Sequence, residues 1–249
     1  MKNIVKWRLE YKKQEKLKLK TLGKKDSLSE ALGIRDGILA VTGAGGKTTS
    51  VFLIADEQAA AGKKVLVTTT THMEIPGDDT VLSGELEEIK KCLIPGRVLT
   101  AGLRDGEKMK GLSENVFREI PKYADLTIVE ADGAKRLPLK ARNDTEPVIP
   151  EGTDHILVVA GLSALGRPIG EVCHRPELAC TLLQKSCEHF VKCEDFVRLI
   201  REGYVIMLRK QYPDANLSIL LNQCDTEELK KKAAEIGAYF DCCYPVILR

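Results

Sequence analysis

Short apolar runs alternate along the chain with longer segments of mixed polarity. Ile38–Val41, Val65–Thr68, Val98–Gly102, Leu126–Val129, His155–Gly161 and Leu217–Leu221 are too short for buried helices and read as strands. They are apolar almost throughout rather than at alternate positions, as in a parallel sheet covered on both faces. Tyr244–Leu248 reads as an edge strand, because Pro245 cannot donate to a ladder. Helices are predicted between the strands. Ser27 caps a short one, with Glu30 three residues on and Gly33 as its stop. Ser50–Ala61 has helical length and is closed by Gly62. Ser83–Leu93, Ser113–Ile120 stopped by Pro121, a helix from Glu177 to about Glu188, another from about Glu194 to Glu202 ended by Gly203, and Glu227–Ile236 follow. Leu103–Gly111 is polar and glycine-punctuated and reads as a loop. The alternation predicts an α/β fold with a parallel sheet and helices on both faces. Residues 27–249 are expected to form one such domain behind a basic extension, 1–26.

The first strand leads into Thr42-Gly43-Ala44-Gly45-Gly46-Lys47-Thr48-Thr49, and a helix follows. Strand, glycine loop and helix in that order form the phosphate-binding unit of P-loop proteins. The fold expected is therefore P-loop NTPase-like. Gly43, Gly45 and Gly46, with Ala44 between them, let main-chain amides approach phosphate oxygens. The helix adds unpaired N–H groups and the positive end of its dipole. Lys47 is expected to reach the terminal phosphates, and the Thr48 hydroxyl to ligate Mg²⁺, with Thr49 completing the loop. The spacing is short: the longer form of the motif needs glycine where Val41 stands. G-x-x-G-K-T-T is the loop of Mur-type ligases.

Other chemistry gathers after the remaining strands. Leu126–Val129 runs into Glu130-Ala131-Asp132, the usual arrangement for holding Mg²⁺ or its waters beside a phosphate loop. Two residues apart on an ideal strand, these carboxylates share a face and would repel unless a cation sat between them. Lys135 and Arg136 follow, with Lys140 and Arg142 close behind, and suit a transferred phosphoryl group or an anionic substrate. Thr70 and Thr71 end another strand and could sense Mg²⁺ or the γ-phosphate, with His72 near the reacting group. His174 and Arg175 precede a helix, where an anion is also favoured. Asn222-Gln223-Cys224-Asp225 resembles the base-reading loop of GTP-binding proteins, Asp225 accepting from the base and Asn222 positioning it, but Gln223 stands where that loop has lysine. Right-handed connections bring the ends of parallel strands to one edge, so these segments should converge.

Charge and cysteine content narrow the picture. With 38 Lys or Arg and 36 Asp or Glu, the net charge is +2, which makes nucleic acid a poor partner for the whole molecule. The basic residues concentrate at the start, where 1–25 holds ten against Glu10 and Glu15. No apolar run reaches the ~18 residues of a membrane span, and the start lacks the apolar stretch of a signal peptide. The eight cysteines include no C-x-x-C pair, as expected for free thiols in a reducing cytoplasm. Cys173, His174, Cys180 and Cys187 could be drawn as metal ligands, but on a helix Cys180 and Cys187 read equally well as core.

V-T-G-A-G-G-K-T-T at 41–49, T-T-T-H-M at 69–73, V-E-A-D-G-A-K-R-L-P-L-K at 129–140, E-P-V-I-P at 146–150, H-R-P-E-L at 174–178 and L-N-Q-C-D at 221–225 together resemble the YqeC family. That family is associated with selenium-dependent molybdenum hydroxylases. The resemblance runs from about residue 27 to 249, and the E-A-D-G-A-K-R-L-P-L-K block is its most specific part. It implies a cytoplasmic nucleotide-binding accessory protein that matures a selenium-containing molybdenum cofactor. ATP or GTP with Mg²⁺ would be its ligands, and the molybdenum cofactor or a molybdenum hydroxylase its partner. The extension at 1–25 lies outside the usual family pattern. Three activities are then in play. One is an NTPase or phosphoryl- or nucleotidyl-transfer factor using Lys47, Glu130, Asp132, Lys135, Arg136 and His72. Another is a Mur-like ATP-dependent ligase, although the chain has no room for the separate substrate domain of such ligases. The last is a non-catalytic carrier or chaperone switched by nucleotide.

Overall fold

The computed structural model describes residues 27–77 and 79–240, and the backbone of 243–245. The basic extension lies outside the described residues, as do 246–248 of the expected edge strand. Thirteen strands are described: β1 (Gly37–Gly43), β2 (Lys64–Thr69), β3 (His72–Glu74), β4 (Thr80–Val81), β5 (Arg97–Ala101), β6 (Leu103–Asp105), β7 (Lys108–Lys110), β8 (Leu126–Glu130), β9 (Leu139–Lys140), β10 (His155–Gly161), β11 (Cys173–His174), β12 (Asn216–Asn222) and β13 (Cys243–Pro245). Eight of them form one sheet in the order β13-β12-β10-β1-β8-β2-β5-β4. Every neighbouring pair in it runs parallel. The fold is thus α/β with helices on both faces, consistent with a P-loop NTPase-like architecture.

Both faces of the central strands are buried, which explains their unbroken apolar runs. In β1, Leu39 and Val41 join the core beneath the helix Lys47–Ala60, while Ala40 faces the opposite core. In β10, Leu157 and Val159 go to the first side and Ile156, Val158 and Ala160 to the second. Full burial of a Leu, Ile or Val side chain contributes about 1.5–3 kcal/mol each. The second core is closed by the helices Pro176–Leu183, Cys193–Ile200 and Glu227–Gly237. Glu57, on the helix after the glycine loop, ties down the short helix Leu28–Leu32 by accepting from the Leu28 and Ser29 amides at 2.9 and 2.7 Å.

Three departures from the sequence pattern bear on the layout. The stretch read as a loop, 103–111, folds into β6 and β7, which make a small antiparallel sheet with β3. Each of these strands has three residues, and only Met73 and Met109 are buried at their crossing, so the alternation is too short to register. The helix expected to reach Glu188 stops at Leu183, because Gln184 turns left-handed at φ 58°. Conversely, Gly203 does not end its helix. The chain continues through a π-helical turn, Arg201–Val205, into the helix Ile206–Gln211, with Gly203 buried.

Candidate functional site

The glycine loop joins the end of β1 to the helix that starts at Lys47, at the carboxyl edge of the sheet. Gly45 and Gly46 have φ of 77° and 112°. A Cβ on Gly45 would lie 2.3 Å from the Gly161 amide, and one on Gly46 2.2 Å from Asn222 Nδ2, so only glycine lets the loop pack on the ends of β10 and β12. Asn222 is buried, and its Nδ2 donates to the Gly45 carbonyl at 2.7 Å. The Ala44 amide donates to the Val159 carbonyl at 2.8 Å and the Gly45 amide to the Leu137 carbonyl at 3.0 Å. Those two amides hold the loop in place, leaving the leading amides of the helix as the donors open to an anion.

Lys47 is 5% exposed and folds back over the loop. Its Nζ donates to the Gly43 carbonyl at 2.9 Å and lies 3.2 Å from Asp132 Oδ1. Asp132 is fully buried. Its Oδ2 accepts from the Thr42 hydroxyl at 2.8 Å and the Gly43 amide at 3.1 Å, and lies 2.9 Å from Lys140 Nζ. Lys140 also donates to the Gly133 carbonyl at 2.6 Å and to Glu146 Oε2 at 2.7 Å. Arg175 donates to the same Glu146 oxygen at 2.7 Å. A line of alternating charge, Lys47, Asp132, Lys140, Glu146 and Arg175, thus runs from the glycine loop to the start of the helix Pro176–Leu183. Burial pushes the Glu146 carboxyl up, but the bonds from Lys140 and Arg175 outweigh this and hold it below its ordinary value.

Glu130 and Asp132 do not share a strand face. β8 ends at Glu130, so period-two alternation stops before Asp132. The cations beside Asp132 are the ammonium groups of Lys47 and Lys140. Glu130 instead accepts from the exposed Thr48 hydroxyl at 2.9 Å. Burial holds the Glu130 carboxyl above its ordinary range, against the pull of Lys47 and the Thr48 bond, and Asp132 adds to the rise. Thr48 and Glu130 together offer two hard oxygen donors suited to Mg²⁺, whereas the Asp132 carboxylate is committed to protein donors.

A cleft of about 590 Å³ opens over this arrangement. Gly45–Thr49, Glu130, Lys135, Arg136 and His174 line it. Lys135 and Arg136 are exposed in left-handed conformations, φ 48° and 59°, and Arg136 pairs with Glu74. His72 also reaches the cleft wall, but its Nε2 is 2.8 Å from Asp105 on the small antiparallel sheet. A larger, mainly apolar groove of about 950 Å³ shares only Thr71 and His72 with this cleft and contains none of the glycine-loop residues. The cleft is the better candidate because the charged groups converge there. Asp225 is exposed and does not line it; Gln223 does, and it accepts from the Ser163 hydroxyl at 2.5 Å. Thr70 is spent on the Val148 carbonyl at 2.8 Å.

Sequence reasoning missed the depth of Lys140 and the part played by Thr42 and Glu146. The signal was present: Lys140 sits between the apolar residues Leu139 and Ala141, an unusual setting for a solvated cation. The drawn thiolate site does not assemble. Among the described residues no group of three His, Cys, Asp or Glu could hold a metal ion. Cys180 and Cys187 come within 3.2 Å of each other, and burial together with that contact pushes Cys180 up to about 11.

The family profile described as YqeC protein matches residues 39–177, which takes in the glycine loop, Glu130, Asp132, Lys140, Glu146 and Arg175. The chain belongs to the YqeC family. It is also 28% identical, over 178 residues, to the uncharacterized protein YqeC of Escherichia coli strain K12, covering 67% of this chain and 68% of that one. The YqeC match therefore fixes kinship and leaves the chemistry to be argued from the site. No helix among the described residues is long and apolar enough to cross a membrane.

Proposed function

We propose that this protein binds a Mg²⁺–nucleoside triphosphate, ATP or GTP, at the glycine loop and cleaves or transfers its terminal phosphoryl group. In this reading the reaction serves the maturation of a molybdenum hydroxylase or its selenium-containing cofactor in the cytoplasm. The observation that carries the chemistry is the Thr48–Glu130 contact at 2.9 Å, which sets a hydroxyl and a carboxylate beside the loop lysine. The choice of target rests on the family resemblance.

In this mechanism the leading amides of the helix and Lys47 bind the β- and γ-phosphates. Lys47 leaves Asp132 for the phosphate, and Asp132 keeps Thr42, the Gly43 amide and Lys140 as partners. Asp132 thus positions Lys47 rather than the metal. Thr48 and Glu130 would hold Mg²⁺, which when bound would neutralise charge on the phosphate oxygens. Lys135, free to swing over the cleft, steadies the transferred group. Base recognition falls to groups near Asn222, whose bond to the Gly45 carbonyl couples that loop to the phosphate site.

A thermal-shift screen of ATP, GTP, CTP and their diphosphates with Mg²⁺ tests this reading. A ligand at 100 times its Kd stabilises the folded state by about 2.7 kcal/mol. A rise in melting temperature with a triphosphate, abolished in Lys47→Ala, is the expected result. No shift with any of them would overturn it.

A further inference from the structure

His174 has no part in the mechanism above, yet it lines the same cleft as Lys47, Thr48 and Glu130. It lies on β11, whose ladder with β9 pairs His174 with Lys140 and Cys173 with Leu139. One two-stranded unit therefore carries both this imidazole and the ammonium that fixes Asp132. The Nδ1 atom of His174 is buried without a hydrogen-bond partner, while the residue lines the cleft. The charged groups that act on the ring are Arg175 next in the chain, Lys140 on β9, Lys135 after β8, and Glu146 from the connection beyond β9. Burial comes first, and Arg175, Lys140 and Lys135 add to it, in holding the imidazole below its ordinary value; Glu146 opposes them. The ring is therefore neutral near pH 7 and free to take a proton. His72 differs in both respects, being exposed and bound to Asp105.

We propose that His174 is the catalytic base for the oxygen nucleophile that attacks the terminal phosphorus, an inference that rests on the nucleotide reading above. The nucleophile's oxygen–phosphorus bond forms as the bridging phosphorus–oxygen bond breaks. The nucleoside diphosphate leaves with that electron pair, and the nucleophile's proton passes to His174. In hydrolysis the nucleophile is water; in transfer it is an acceptor hydroxyl.

The test begins with the histidine Cε1–H resonances, which number four, from His72, His155, His174 and His189. His174→Gln or His174→Asn assigns the one of interest. Wild-type protein is titrated alone, then with Mg²⁺ and a non-hydrolysable triphosphate analogue. His174 is expected to titrate below the ordinary histidine value alone and higher with the analogue, as phosphate charge gathers near the ring. In turnover assays, His174→Gln should lower kcat by ~100-fold or more, leave KM nearly unchanged and lose the acid limb of the pH profile. His72→Gln should keep that limb. The proposal is overturned if the analogue raises the melting temperature but leaves the His174 resonance unmoved, or if His174→Gln retains the acid limb. If no triphosphate raises the wild-type melting temperature or moves any resonance, the nucleotide reading itself falls and takes this one with it.

Discussion

Lys140 Nζ lies 2.9 Å from Asp132 Oδ2, and both side chains are completely buried. Two opposite charges taken out of water gain little net stability as a pair, but removing one strands the other. Lys140→Met is expected to lower stability by about 3–5 kcal/mol, because Asp132 keeps a buried charge with fewer partners. Urea denaturation measures this; a loss below ~1 kcal/mol would mean that Thr42, the Gly43 amide and Lys47 satisfy Asp132 unaided.

Lys47→Ala separates binding from folding. Lys47 contacts Asp132 and the Gly43 carbonyl, whereas Lys140 ties Asp132 to Glu146 and the Gly133 carbonyl, so the melting temperature without ligand should change less than in Lys140→Met. The nucleotide-induced shift should vanish. Calorimetry of both variants with Mg²⁺-ATP and Mg²⁺-GTP checks the pair of outcomes.

Glu130 and Glu146 should respond to acid in opposite senses. Glu146 is depressed, so its contribution is present above its unfolded value near 4.5 and lost as pH falls through its lower folded value. Glu130 is raised, so ionising it opposes folding at neutral pH, and that penalty lifts as pH falls through its folded value. Glu130→Gln should therefore raise the melting temperature at pH 7 while weakening the Mg²⁺ dependence of nucleotide binding. Glu146→Gln should lower stability at pH 7 and flatten its decline below about pH 4.5. Melting curves from pH 3 to 8 decide both.

Gly46→Ala places a Cβ 2.2 Å from Asn222 Nδ2 at a φ of 112°. Strain of this kind is of order 1–3 kcal/mol, and the loop should lose its seat on β12. The expected outcome is a lower melting temperature together with lost nucleotide binding. Asn222→Ala removes the clash and the tether at once, so the double variant should recover part of the stability and none of the tether.

The main sheet was readable because its central strands are buried on both faces and print unbroken apolar runs, as in Leu126–Val129 and His155–Gly161. The glycine loop was readable because few other arrangements need Gly45, Gly46 and Lys47 in that order between a strand and a helix. The small sheet was not, because its strands have three residues each and only Met73 and Met109 among them are buried. The direction of Asp132 was hidden for another reason. Alternation holds only while a strand continues, and β8 stops two residues before it. Gln184 and Gly203 show the limits of local signals: a glutamine turns left-handed where a helix was expected to run on, and a buried glycine is carried inside one.

The Lys47–Asp132 contact has a consequence for selectivity. Any anion arriving at the loop competes with a carboxylate already held 3.2 Å from the ammonium. A singly charged visitor such as chloride or bicarbonate offers no electrostatic advantage over that resident group. On the nucleotide reading proposed above, a polyphosphate would, and its metal would be taken by Thr48 and Glu130. On that reading the loop would favour polyphosphates over small, singly charged ions.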